Sequence, residues 1–369
     1  MATTSIQRRS VVLAGLDAGF GVLSASRAHA APTEAPPQAI RFAISLAGVG
    51  NPPRVGSGTL DVVQAHRYIE KEFEAQGTKV EWVFSKGAGP ATNEALTTGQ
   101  VDFGTQGALP ALLGRAGGLD TRALIVSEAR TNSYVGVRPD SPIRSVADLR
   151  GRRIAVHKGT AGHLSGLRIL REYGIGEKDV RLLNLDTGSA VAAFLSGDLD
   201  AIFGGVNLLR LRNKKLLRII FDTRKTPVAT APGIVLVRSA FAAQYPQTTR
   251  RVVKAYVKAA RWASDDANRE AVFRLWAEFG STTVEDYREE YEGVPLRDQL
   301  SPVADPFVLA RLRDSAEDSY RLRLVRRKVD TDSWPDRELL ASVLQELKLA
   351  DYWPTFDAAG KLLTPGREA

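Results

Sequence analysis

Three turns in this sequence set glycine between an apolar run and a helical pattern, and they carry the residue types that hold an anion without neutralising it. Ser85-Lys86-Gly87-Ala88-Gly89-Pro90 closes one run, Gln106-Gly107-Ala108 a second, and His157-Lys158-Gly159-Thr160-Ala161 a third. At such a turn the first N–H groups of the helix lack acceptors and lie at the positive end of its dipole. One glycine turn before a helix is ordinary punctuation. Three of them at the carboxyl ends of strands, where ligands of doubly wound sheets sit, point to a binding cleft. The expected ligand contacts are Gly87, Gly89, Gln106, Gly107, Ala108, Lys158, Gly159, Thr160, Ala161 and His163. Backbone donors from Gly107, Ala108, Gly159, Thr160 and Ala161 are expected to dominate over the Lys158 ammonium, with the Thr160 hydroxyl adding one bond.

No catalytic constellation accompanies these turns. The sequence holds no His-Glu-x-x-His, no Gly-x-Ser-x-Gly and no phosphate-binding loop of the Walker type. Gly162-His163-Leu164-Ser165-Gly166 sets its serine one place too late for a nucleophile elbow. His157 and His163 flank one loop, a spacing open to a metal pair, but surface or ligand-adjacent roles are the expectation. Cysteine is absent, which removes disulfides, thiolate metal sites, thiol nucleophiles and a lipid-modified cysteine. We expect no catalytic residues, no metal and no cofactor.

The elements that must position these turns alternate. Short apolar strands and amphipathic helical stretches follow one another from Ile40 to about Val237, the pattern of an α/β chain with mostly parallel sheets. Arg138-Pro139-Asp140-Ser141-Pro142 is a stiff link and the expected boundary between two such series. The expected organisation is a first lobe over 40–138, a second over 139–232, a return to the first over 233–300, and a helical segment over 301–369 packed on the first lobe. With 369 residues the chain has length for about two domains. No apolar run reaches the roughly 20 residues of a membrane span.

Residues 1–30 read as an export signal: Arg8 and Arg9, then the modest apolar stretch Val11 to Leu23, then Ala28-His29-Ala30 before Ala31. Gln7-Arg8-Arg9-Ser10-Val11-Val12 is a degenerate twin-arginine pattern, interrupted later by Asp17. Residues 31–39, rich in proline, read as a flexible leader. A released, monomeric, periplasmic protein is the expectation.

Against this background the sequence resembles a family. Gly89-Pro90-Ala91-Thr92-Asn93-Glu94-Ala95-Leu96, Gly99-Gln100-Val101-Asp102-Phe103-Gly104, and the stretch from Asp140 through Leu149-Arg150-Gly151 to Val156, with Lys158-Gly159-Thr160 behind it, resemble the aliphatic-sulfonate, taurine and nitrate binding proteins of ABC importers. The resemblance implies a two-lobed periplasmic-binding-protein architecture of type II with a helical C-terminal wrap, a small organic anion clamped between the lobes, and delivery to an ABC permease. Two segments depart from it. After the strand Ala201 to Phe203 the chain reads Gly204-Gly205-Val206-Asn207 where sulfonate receptors often carry tryptophan, aspartate and proline. The first strand runs into a glycine-rich loop, Ala47-Gly48-Val49-Gly50-Asn51-Pro52-Pro53. Gly48, Gly50, Asn51 and Asn207 are therefore further candidate contacts, and the ligand's non-anionic half is open. The resemblance also includes a sulfinate desulfinase whose chemistry uses a cysteine, and a receptor for nitrate or a neutral heterocyclic vitamin precursor is a third reading.

The formal net charge of +8 suits an anionic partner. The basic run from Arg311 to Lys328 is interleaved with Asp314, Glu317 and Asp318, while Leu309, Leu312, Ala316, Tyr320 and Leu324 follow helical spacing. It reads as a solvated helix face, and no nucleic-acid partner is expected.

Overall fold

The computed structural model describes residues 34–226, 229–280 and 282–367; the expected export signal and the first leader residues lie outside them. Two five-stranded sheets are built from β1 (Ala39–Ile44), β2 (Lys79–Phe84), β3 (Phe103–Gly107), β4 (Thr121–Ser127), β5 (Tyr134–Val137), β6 (Arg153–Val156), β7 (Arg181–Asn184), β8 (Ala201–Gly204), β9 (Arg218–Asp222) and β10 (Gly233–Arg238). The first sheet runs β2-β1-β3-β10-β4 and the second β7-β6-β8-β5-β9. In each, the strand that enters from the other sheet is antiparallel to its neighbours: β10 against β3 and β4, β5 against β8 and β9. This is the two-sheet α/β architecture that the resemblance implies.

Strand position explains residue choice. In β1, Ile40, Phe42 and Ile44 are buried on one face and Ala43 on the other, as an interior strand covered on both sides requires. Strand β2 at the sheet edge instead alternates exposed and half-buried residues. Phe42 stacks on Phe103 of β3, ring centroids 4.6 Å apart, so the two strands are also joined through their side chains.

The boundary between lobes differs from the expected one. Tyr134–Val137 pairs with β8 and β9 and belongs to the second sheet, so the chain crosses over before Ser133 rather than at Pro139. The stiff proline link lies inside the second lobe, after its first strand. The crossing segments lie side by side: the Ser133 N–H donates to Thr223 Oγ1 at 2.7 Å, and the Thr223 N–H donates back to the Ser133 carbonyl at 3.1 Å.

The C-terminal segment also reaches further than expected. It packs on the first lobe, where Trp334 donates its indole N–H to the Thr121 carbonyl at 3.0 Å. It touches the second lobe as well. Asp318, on the helix Pro306–Arg321, accepts from Arg168 at 2.7 Å and from Arg171 at 2.7 and 3.1 Å, both on the second-lobe helix Ala161–Glu172. Leu322 and Leu324 pack against the second lobe's core. Spacing alone showed an amphipathic helix but not that an acid on its polar side was buried between two arginines. Before it, the helix Val284–Glu290 also bridges: Glu290 accepts from Tyr134 and from Asn132, and Glu289 pairs with Arg212.

Arg168 and Asp318 are both buried, and burial pushes the arginine below its usual range while the arginines hold Asp318 below the usual carboxylate range against its own burial. Removing one charge strands the other. Asp318→Ala should cost about 3–5 kcal/mol in denaturant unfolding, whereas replacing Arg168 with Met and Asp318 with Leu together should recover most of that loss. Equal losses in the single and double variants would count against a buried pair.

Candidate functional site

A cavity of about 320 Å³ opens where the first sheet's strands end against the second lobe. Its walls come from the end of β1 (Ile44, Ser45, Leu46), β3 (Thr105, Gln106, Gly107), the end of β4 (Ser127, Glu128) and the start of β10 (Gly233, Ile234, Val235). Ala161 closes it from the second lobe, and Thr131, Ala231 and Pro232 from the crossing segments. A larger groove of about 550 Å³ lies on the first lobe around Asn93, Asp120 and Arg238, at the opposite ends of β4 and β10 from the cleft. The cleft between sheets is the site that topology singles out.

Two helices aim their first turns at this region. The helix Ala161–Glu172 starts without a side-chain cap, because the Thr160 hydroxyl donates back to the His157 carbonyl at 2.7 Å. The N–H groups of Ala161 and Gly162 find no acceptor among the described residues. That end of the cleft is a positive helix terminus with donors to spare. The helix Gly58–Ala65 starts at Ser57, whose hydroxyl makes no cap bond. Here the Thr59 N–H is already taken, by the Glu128 carboxylate.

Glycine at 107 makes the closure possible. A Cβ built there would lie 2.3 Å from Ala161 Cβ, far inside contact distance. The neighbouring Ala108 N–H is committed to the Pro232 carbonyl at 2.9 Å, which fixes β3 against the entry of β10.

Of the residues expected at the ligand, the cavity gathers Gln106, Gly107 and Ala161. Gln106 is buried, donates to Asn93 Oδ1 at 2.9 Å and leaves its own Oε1 unpartnered. The others are engaged elsewhere. Ala108 has spent its N–H on Pro232. Lys158 pairs with Glu177 at 3.4 Å in a half-exposed position. The Gly159 N–H donates to His163 Nδ1 at 3.3 Å, and the Thr160 N–H to the His157 carbonyl. His163 is buried outside the cavity walls, and burial pushes its pKa down. Gly48 packs on Phe84 and Pro53, and Gly50 on the Phe279 ring; Asn51 follows Gly50 in the loop that the paired backbones of Val49 and Arg54 close. A Cβ on Gly89 would strike Pro110, so Gly89 serves a helix–helix contact, while Gly87 starts the helix Ala88–Thr97 and a Cβ there would meet only Ala91 of that helix. Asn207 caps its own turn, accepting from the Gly205 N–H at 3.1 Å. A turn at a strand end has several N–H groups, and some of them, as at Gly159 and Thr160, close the turn itself.

The sequence reading missed Ser57, Ser127, Tyr256 and above all Glu128. Gly56-Ser57-Gly58 was legible as a fourth glycine turn before a helix, hidden by the long loop that precedes it. Glu128 follows β4 in a left-handed conformation, φ 59°, which costs a glutamate about 1 kcal/mol or more. Its side chain keeps only the exposure that the cavity gives it, and no arginine, lysine or histidine pairs with it among the described residues. Burial pushes its pKa up, only partly offset by the Thr59 N–H. Tyr256 stands beside it, hydrogen-bonded to the Ser127 and Thr59 side chains.

The sign of the pH effect follows. Folded Glu128 holds its proton to higher pH than it does in the unfolded chain, so stability falls as pH rises from the unfolded carboxylate range through the folded value. Glu128→Gln should therefore melt higher than wild type at neutral pH without ligand, and the gap should close near pH 4. A gap independent of pH in calorimetric scans would sink this assignment.

The comparisons with known proteins agree with the fold. The model of the NMT1/THI5-like family matches residues 70–269, more than half of the chain. An aliphatic sulfonates-binding protein of Bacillus subtilis is 28% identical over 282 residues, 76% of this chain and 82% of that one. The taurine-binding periplasmic protein of Escherichia coli is 30% identical over 205 residues, 54% of this chain and 60% of that one. The structure of the periplasmic sulfonate-binding protein SsuA from Methylobacillus flagellatus matches with a TM-score of 0.74 and 28% identity, over 91% of this chain and 99% of that one. The desulfurization enzyme DSZB shares the fold at a TM-score of 0.63 and 20% identity, over 84% and 100%.

Proposed function

The chain belongs to the NMT1/THI5-like family, and from that premise we propose that it is the periplasmic solute receptor of an ABC importer, capturing a small sulfonate-type anion between its two sheets. The observation that carries this reading is the uncapped start of the Ala161 helix facing a cavity that both lobes wall. A tetrahedral anion needs several fixed donors, and free helix N–H groups supply them without a counter-charge. The names of the relatives, sulfonate and taurine receptors, support the same ligand class.

Closure is the mechanism. Ligand bound to the first sheet's strand ends completes its donors only when the Ala161 helix arrives, so binding favours the closed form by the contacts that open lobes cannot make. A micromolar affinity corresponds to about −8 kcal/mol, within reach of a few charge-assisted hydrogen bonds and the burial of a short tail. We read capture without turnover because, among the described cavity-lining residues, Glu128 and Tyr256 have no imidazole, amine or thiol beside them. The chain has no cysteine to act as the desulfinase nucleophile. Export by the 1–30 signal, with Arg8 and Arg9 favouring the twin-arginine route, and release as a monomer belong to the same proposal.

A thermal-shift panel of alkanesulfonates, sulfate, nitrate and pyrimidines tests it. Sulfonates at 100 times Kd should stabilise by about 2.7 kcal/mol, and a response confined to pyrimidines or nitrate would overturn the assignment. Gly107→Val adds bulk where no Cβ fits. It should weaken the best ligand at least about 10-fold in calorimetric titration, since one lost closing contact of 1.4 kcal/mol is already tenfold. Unchanged affinity in that variant would place the ligand elsewhere.

A further inference from the structure

We propose that Glu128 is a carboxylate subsite for a positively charged group, so that the preferred ligand is a zwitterion, an aminoalkanesulfonate rather than a plain alkanesulfonate. This rests on the sulfonate-receptor reading and deepens it. The cavity is polarised. At one wall the Ala161 helix presents unused N–H donors and the positive end of its dipole. At another wall stands Glu128, the one formally charged side chain among the cavity-lining residues described.

The surroundings of Glu128 leave its charge unanswered. It accepts one backbone N–H, from Thr59, and that bond ties up the start of the Gly58–Ala65 helix as a second anion site. The Tyr256 and Tyr291 phenols near it are held neutral by burial. Gly58 and Gly233 crowd it: a Cβ on Gly58 would lie 2.6 Å from Glu128 Oε1, and one on Gly233 3.3 Å from Oε2. The chain thus holds a strained glutamate against two glycines, in a cleft that takes an anion, with no cation paired to it among the described residues. A ligand that brings an ammonium supplies the missing partner, and the same carboxylate repels an anion that enters without one. The volume of about 320 Å³ holds a molecule whose two charged ends are a few bonds apart.

The test titrates the wild-type protein and Glu128→Gln calorimetrically with ethanesulfonate and with 2-aminoethanesulfonate, two ligands that differ by the amine. Wild type should bind the amino compound at least about 30-fold more tightly, the scale of a desolvated charge pair. Glu128→Gln should lose about that factor for the amino compound and hold or improve its affinity for ethanesulfonate. A thermal melt followed by circular dichroism shows whether the variant is folded; if it is not, Glu128→Asn, which suits the left-handed backbone, takes its place. Equal affinities of the two ligands in wild type overturn the subsite. So does a folded variant that keeps the preference or loses both ligands in step. In those cases the sulfonate reading stands as long as ethanesulfonate binds. Wild type that binds neither sulfonate overturns that reading, and the subsite with it.

Discussion

Backbone at Gly107 meeting the start of the Ala161 helix is the contact on which the cleft depends. With no side chain at 107, β3 and the helix approach until a Cβ would overlap Ala161 at 2.3 Å. Both partners are fixed from behind. On the first lobe, the antiparallel pairing of Gly107 with Gly233 and the bond from Ala108 to Pro232 tie the end of β3 to the returning strand. On the second, Arg168 and Arg171 tie the same helix to Asp318. A donor array held at both ends has little reorganisation left to undergo when a charge arrives, and that is what makes fixed dipoles effective.

The same ties make lobe movement more than a bend at two crossing strands. Arg168 also donates to the Thr230 carbonyl in the returning segment at 2.7 Å, so the helix is bound to a hinge strand and to the C-terminal helix at once. On the other flank, Glu290 and Glu289 hold Tyr134 and Arg212 of the second lobe. Opening must therefore exchange buried polar contacts on both flanks or carry the C-terminal helices along with the second lobe. The first route exposes charges that are costly to leave unpaired. The second keeps the pairs and instead slides the helix Pro306–Arg321 over the first lobe.

Much of the fold was legible because its signals are local. Alternation in Ile40-Phe42-Ile44, the glycine stops and the second strand–helix series give the two sheets without any long-range information. The lobe boundary was misplaced because Arg138-Pro139 is a strong local signal with no bearing on pairing, while β5 is assigned by partners at 201–204 and 218–222. The site was legible in kind and not in detail. Glycine turns mark where N–H groups cluster, but whether a given N–H is free depends on acceptors such as the Pro232 carbonyl and His163 Nδ1. Glu128 carried no pattern at all: one acid after an apolar strand acquires meaning only when the Gly58–Ala65 helix is brought to it.

Charge at two length scales then divides the work. The basic excess of the whole chain draws anions toward the protein over distances of about a Debye length, roughly 8–10 Å in salt. It does so without discrimination. Inside the cleft the balance reverses locally, because the cavity's charged side chain is an acid and its positive ends are helix dipoles. A dipole end equivalent to about half a charge attracts an anion less strongly than a lysine would, and leaves no residual ammonium to be neutralised once the lobes shut. Selection can therefore fall to shape and to the match at Glu128. Had the site used Lys158 instead, the strongest term would have been a point charge that accepts nearly any anion; Lys158 is not among the described cavity-lining residues and pairs with Glu177.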